Sequence, residues 1–246
     1  MRRPAQLLRF IALALPIWAN PAQAVVSSLT PIDIAAEVTN DLTTYTGGGN
    51  YPQNGGPLAV AGINFTLATI GPQSHTAVVQ TSNSTPVTLS IPISRTGVSV
   101  VYTLINSANG QCGSNIGELD FVGAHTTYTY VLTAGSNVRD HYQGLYCNTA
   151  TAIAGTASFG PDRLDMQQIT LPAGFANDTL VRIDLKGYGT NTGAPFVAAI
   201  TMDGTPVLVA KPTTSAPMLD AHALLMLSAL CAALGIALMR VRQRST

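Results

Sequence analysis

Residues 85–93 read TPVTLSIPI, and every second side chain is large and apolar: Val87, Leu89, Ile91 and Ile93. Thr88, Ser90 and Pro92 fill the places between them. Successive side chains of an extended chain point to opposite faces, so a period of two marks a strand with one buried face. Proline has no amide hydrogen to give a neighbour, which puts this strand at a sheet edge or beside a bulge.

Residues 179–189, TLVRIDLKGYG, alternate in the same way. Val181, Ile183 and Leu185 are expected on the core face, with Arg182, Asp184 and Lys186 opposite. VSVVYTLI (98–105) and PFVAAITM (195–202) are apolar at both phases and fit central strands covered on both faces. AGINFTLAT (61–69), HTTYTYVLT (125–133) and RLDMQQITL (163–171) complete a set of at least seven strands. Thr, Ser, Val, Asn and Gly are abundant, and helical periodicity hardly appears before the C-terminal tail. The expected class is all-β, a β-sandwich or jelly roll, with strand order left open. Three Gly/Asn-rich stretches, 46–56, 106–115 and 187–195, read as long inter-strand loops, where sandwiches carry function.

The ends are different. Arg2, Arg3 and Arg9 precede an apolar run from Phe10 to Trp18 and the small-residue ending Ala22-Gln23-Ala24, which reads as a secretory signal peptide over 1–24. Pro16 and Pro21 argue against a buried N-terminal helix. Residues 25–210 are then the exported domain and 211–220 a Pro/Thr/Ser linker ending in Ala216-Pro217-Met218-Leu219. Residues 221–239 are long and apolar enough for one transmembrane helix, and 240–246 form a basic cytoplasmic tail whose Arg240, Arg242 and Arg244 act as a stop. The expected location is across the bacterial inner membrane, in the cell envelope or at the surface, with the C-terminal helix in the membrane at least transiently.

This tail resembles the C-terminal sorting signals in which a short Pro-containing motif precedes a hydrophobic helix and an Arg cluster. It is closer to the Ile-Pro-Thr-Leu type (IPTL-CTERM) than to the Pro-Glu-Pro type (PEP-CTERM), because Pro217 and Leu219 keep the P-x-L spacing. It departs in having Ala216 and Met218 for Ile and Thr, and Asp220-Ala221 for Ser-Glu. The resemblance implies an exosortase-like processing enzyme as partner; a plain single-pass anchor is the alternative. Separately, the run 98–123 with VRDHY (138–142) and 163–172 resembles an accessory β-sandwich module of secreted bacterial proteins, similar in layout to galactose-binding-like domains. That likeness implies an interaction module and identifies no ligand.

From 25 to 210 five basic residues (Arg95, Arg139, Arg163, Arg182, Lys186) face eleven acidic ones, a net charge of about minus six. A domain so poor in Lys and Arg has no electrostatic footprint for nucleic acid. Cys112 and Cys147 fall in the exported domain and Cys231 in the tail. An oxidising compartment favours a Cys112–Cys147 disulfide over two separate thiols. Without a Cys-x-x-Cys pair they make a poor zinc site.

Little in the chain suggests catalysis. Glu37 and Glu118 are the only glutamates of the exported part; Glu118 and Asp120 share one face of a strand, as a glycosidase pair or as a solvated face. No G-x-S-x-G occurs, and His75, His125 and His141 are too scattered for a metal site, so neither catalytic residues, metal nor cofactor are expected. VRDHY is the densest polar cluster. Arg139 either pairs with a carboxylate such as Asp165 or joins His141 and Tyr142 in a ligand rim. Tyr45, Tyr51, Tyr142 and Tyr146, near Gly/Asn-rich loops, with Asn50, Asn54 and Asn148 as hydrogen-bond partners, make a permissible sugar site, since Tyr offers a flat apolar face with a polar edge. The only tryptophan, Trp18, leaves with the signal. The expected function is a non-enzymatic envelope protein, structural or adhesive, with extracellular polysaccharide or surface proteins as partners; the alternative is a carbohydrate-binding module.

Overall fold

The structure, a computed structural model, describes residues 28–43, 50–71, 74–144 and 146–207. The expected signal peptide, Tyr45, the expected linker and sorting motif, the apolar tail with Cys231 and the terminal arginines lie outside the described residues. Among the described residues no helix is long and apolar enough to cross a membrane.

The fold is nearly all β, in two sheets arranged as a sandwich with a barrel-like half. The larger has nine strands. Seven run in the order β10 (Gly155–Phe159), β11 (Asp162–Thr170), β7 (Val100–Ala108), β13 (Ala194–Met202), β5 (Thr76–Gln80), β4 (Ile63–Thr69), β3 (Gly56–Val60). The short β1 (Thr30–Ile32) lies beside β13 and β2 (Asn40–Asp41) beside β5. The smaller sheet orders as β14 (Thr205–Pro206), β6 (Val87–Thr96), β12 (Thr179–Gly187), β8 (Asn115–Gly123), β9 (Thr127–Thr133).

The alternating strands build the core between the sheets. Ile91 of β6, Ile183 and Leu185 of β12, Leu119 and Phe121 of β8 and Leu132 of β9 meet Val79, Val101, Ile105, Val197 and Ile200 of the larger sheet. The doubly apolar strands have a second function. The larger sheet coils until β3 and β10 approach, with Gly155 close enough to Val60 and Ala61 that a Cβ there would lie 3.0–3.2 Å from their side chains. Inside that coil Phe65, Leu67, Val78, Leu104, Leu164 and Phe196 form a second core. All nine residues of β13 are buried, because one face meets the small sheet and the other the coil.

Two expectations need correction. Val181 is 40 % exposed, and Leu180 takes its place in the core. A bulge between Leu180 and Arg182 adds one residue on one side of the ladder, which shifts the alternation by a step before Ile183 restores it. Pro92 sits opposite Arg182 at that bulge, on a strand whose other side pairs, among the described residues, with the short β14 at Arg95 and Thr96. Asn106, Ser107 and Ala108, read as loop, continue β7, and Gly56 and Ala194 likewise begin strands. Their polar groups find partners far along the chain, which local composition does not register.

Phe121 is fully buried at the centre of β8 and stacks on Tyr128 with centroids 6.1 Å apart. Phe121→Ala should lower the unfolding free energy by about 3–5 kcal/mol in a denaturant titration. A loss below about 1 kcal/mol would contradict a shared inter-sheet core there.

Candidate functional site

β7 and β11 pair from Val100 to Leu104 and then part. Residues 139–143 of the β9–β10 connection enter the fork. On one side Ser107 N donates to the Arg139 carbonyl (3.1 Å) and His141 N to the Ser107 carbonyl (3.0 Å). On the other, Arg163 N donates to the His141 carbonyl and Gln143 N to the Pro161 carbonyl, both at 2.9 Å. Buried backbone groups require such partners, so the inserted segment takes over the ladder that β7 and β11 no longer share.

Side chains close the fork. Asp165 N donates to Asn106 Oδ1 and Asn106 Nδ2 to Asp165 Oδ2, both at 2.8 Å. Arg139 grips the same carboxylate with Nε at 2.8 Å and Nη2 at 2.9 Å, and Thr156 Oγ1 adds a bond of 2.7 Å. The fully buried Asp165 is thus neutralised by a partly exposed guanidinium, whose own pKa the carboxylate raises. The Cys112–Cys147 disulfide bridges 35 positions and ties the far limb of the connection beside β7, where Cys147 N donates to the Gly110 carbonyl. In the chain-entropy account a loop of this length contributes about 3 to 4 kcal/mol.

This anchoring forms a pocket of about 120 Å³ bordered by Ala108, Asn109, Asp140, His141, Tyr142 and Tyr146. Asp140 and His141 are buried, while Tyr142 and Tyr146 stand out with 44 % and 46 % of their surface exposed. Asp140 accepts from Tyr142 N (2.9 Å) and Gly110 N (3.3 Å). The His141 ring lies edge-on to Phe196, and its Nδ1 is 2.8 Å from Tyr51 Oη. Arg163 donates to the Asp140 carbonyl (2.9 Å) and to Asn148 Oδ1 (2.6 Å). Asn148 in turn donates to the Gly144 and Tyr146 carbonyls, which holds the rim in place. Burial pushes the Asp140 carboxyl up and the His141 imidazole down.

The structure gathers His141, Tyr142 and Tyr146 at one pocket and separates Tyr51, Arg139 and Asn54 from it. Tyr51 is 2 % exposed and lies behind His141, where burial raises its hydroxyl pKa. Arg139 is turned to Asp165. Asn54 is exposed in a left-handed turn at the start of β3, where its amide meets the Ser74 carbonyl. Glu118 and Asp120 lie on the outer face of the small sheet and both bind the Lys186 ammonium. Burial raises the Asp120 carboxyl, and bonds from Lys186 and Thr129 outweigh it and bring the pKa down. Tyr188 donates to Glu118 at 2.8 Å, and burial with that bond pushes its hydroxyl up to about 12. Among the described residues no three His, Cys, Asp or Glu side chains converge as metal ligands. Sequence reasoning missed Asn109, whose left-handed φ of 60° turns the chain at the pocket wall. The Asn-Gly pair at 109–110 was its signal.

No protein-family model, no curated protein and no solved structure matches this chain. The reading of the pocket therefore rests on its own chemistry. It offers two exposed tyrosines beside a polar wall, an arrangement suited to holding a polyhydroxylated ligand.

The burial of His141 has a consequence for stability. The unfolded chain binds a proton there near pH 6.5 more readily than the folded chain does. The unfolding free energy should therefore fall as pH drops below that value, by at most about 1.4 kcal/mol per unit. Asp140 works in the opposite sense, so the comparison is with His141→Gln, which should flatten this limb of the curve. An unchanged slope in the variant would assign the effect elsewhere.

Proposed function

We propose that the chain is a non-enzymatic cell-envelope protein, exported through its N-terminal signal and carried by its C-terminal sorting helix, with an adhesive role at the surface. Its exported part is read as a β-sandwich or jelly roll that presents a loop-borne contact site. An exosortase-like enzyme would process the tail, and the membrane would hold the protein at least until then. The observation that carries the adhesive reading is the pair Tyr142 and Tyr146, held out from a loop fastened by a disulfide, an ion pair and Asn148. A loop so restrained loses little freedom on binding. Against hydrolysis stand Glu118 and Asp120, which share one ammonium on a sheet face.

Extracellular polysaccharide is the partner this surface suits best, which makes a carbohydrate-binding module the second reading. The acidic balance of the exported part disfavours nucleic acid and anionic lipid as partners. Tyr142→Ala and Tyr146→Ala should each weaken binding of the producing cell's polysaccharide by about tenfold. Both are surface changes and should alter stability by less than about 0.5 kcal/mol. Affinity that survives both substitutions would remove the tyrosine rim and leave a structural role.

The tail is tested by the intact mass of the envelope form. Processing predicts the loss of Arg240 to Arg244, and a surface species that retains them would favour a plain membrane anchor.

A further inference from the structure

Most strand edges of the two sheets are defended against another chain. β1, β2 and β14 are two or three residues long, and β14 covers one end of β6, whose remaining edge carries Pro92. β3 carries Pro57 and approaches β10, which closes the larger sheet on itself. Short edges, prolines and mutual cover are the usual devices that stop strands from pairing between molecules. β9 has none of them. It is seven residues of Thr, Tyr, Val and Leu, and β8 is its only strand partner among the described residues. No Asp, Glu, Lys or Arg occurs from Phe121 to Val138.

The hydrogen-bond phase of β9 shows which backbone groups are open. Gly123 N donates to the Thr126 carbonyl at 2.7 Å, so by the alternation of an antiparallel ladder Tyr128 and Tyr130 also turn their backbone groups to β8. Thr127, Thr129 and Val131 turn theirs away from the sheet. Asn137 fits this phase and closes one end: its Nδ2 donates to the Val131 carbonyl at 2.7 Å and its Oδ1 accepts from Thr133 N at 2.8 Å. That leaves both backbone groups of Thr127 and Thr129 and the N–H of Val131. The side chains of these three residues are exposed, and the Thr129 hydroxyl is committed to Asp120 at 2.5 Å.

This edge reads the same in both directions about Thr129. In a two-fold antiparallel pair, Thr129 of one copy faces Thr129 of the other, Thr127 faces Val131, and Tyr128 faces Tyr130. Each Thr129 N–H then meets the opposite Thr129 carbonyl, and each Val131 N–H a Thr127 carbonyl. Each Thr127 N–H takes the second lone pair of a Val131 carbonyl. Tyr128 and Tyr130 are half-buried against the core, so the pairing covers aromatic surface that one copy leaves open. Charge permits the same contact. Residues 25–210 carry about minus six, and a junction along this strand sets no like charges opposite each other.

We infer that β9 is a self-association edge: two copies pair antiparallel through Thr127–Val131 about a two-fold axis at Thr129, joining their smaller sheets into one. This is independent of what the tyrosine pocket holds.

The test is the mass of the full-length chain in detergent by light scattering, with amide hydrogen exchange on the same samples. Dimers should dissociate on dilution, and the Thr127, Thr129 and Val131 amides should exchange about tenfold or more slowly in the concentrated sample. Thr129→Pro removes an N–H that the single copy leaves open, which an edge strand tolerates, and should raise the dissociation constant about tenfold or more. Thr129→Lys serves if the proline variant fails to fold; it sets two ammonium groups opposite each other on the axis and should have the same effect. A monomer at every concentration, with these amides exchanging freely, overturns the proposal. So does a dimer that the folded variants retain, or one whose β9 amides are unprotected, since either places the contact away from this edge.

Discussion

Asp165 is a fully buried carboxylate at the point where β7 and β11 separate, and the candidate site depends on how it is satisfied. An unpaired charge there would be costly, and breaking such a pair typically costs about 3–5 kcal/mol. Arg139, Asn106 and Thr156 supply its partners from three separate parts of the chain. In doing so they hold residues 139–143 in the fork, and that insertion points Tyr142 outward while His141 turns to Phe196. The disulfide adds a second fastening on the opposite limb. One buried charge thus links the ladder of the larger sheet to the pocket at its end.

The two cores explain how a chain with few charged residues sustains this arrangement. β13 faces the small sheet through Val197 and Ile200 and the inside of the coil through Phe196 and Ala199. A register shift between Val197 and Ala199 adjusts the alternation within the strand. Because Phe196 belongs to the second core and touches His141, the back of the pocket is as rigid as the core behind it.

Parts of the site were legible along the chain and parts were not. The cluster at 138–142 stood out by its polarity, and the pairing of Arg139 with Asp165 was among its expected partners; that ion pair forms. Tyr142 and Tyr146 were expected at a rim because they flank Gly/Asn-rich sequence, and they are exposed. Tyr51 carries the same local signal and is buried, because its hydroxyl meets His141 ninety positions away.

By itself the sequence determined which faces of most strands are apolar, how little positive charge residues 25–210 carry, and which two cysteines lie among them, because period, composition and residue identity are local properties. Tertiary structure alone decided that a bulge would move Leu180 into the core for Val181, that residues 139–143 would enter the β7–β11 fork, and that the larger sheet would coil around a second core. Each of these satisfies hydrogen bonds or apolar surface between segments far apart in the chain, and no window of neighbouring residues contains both partners.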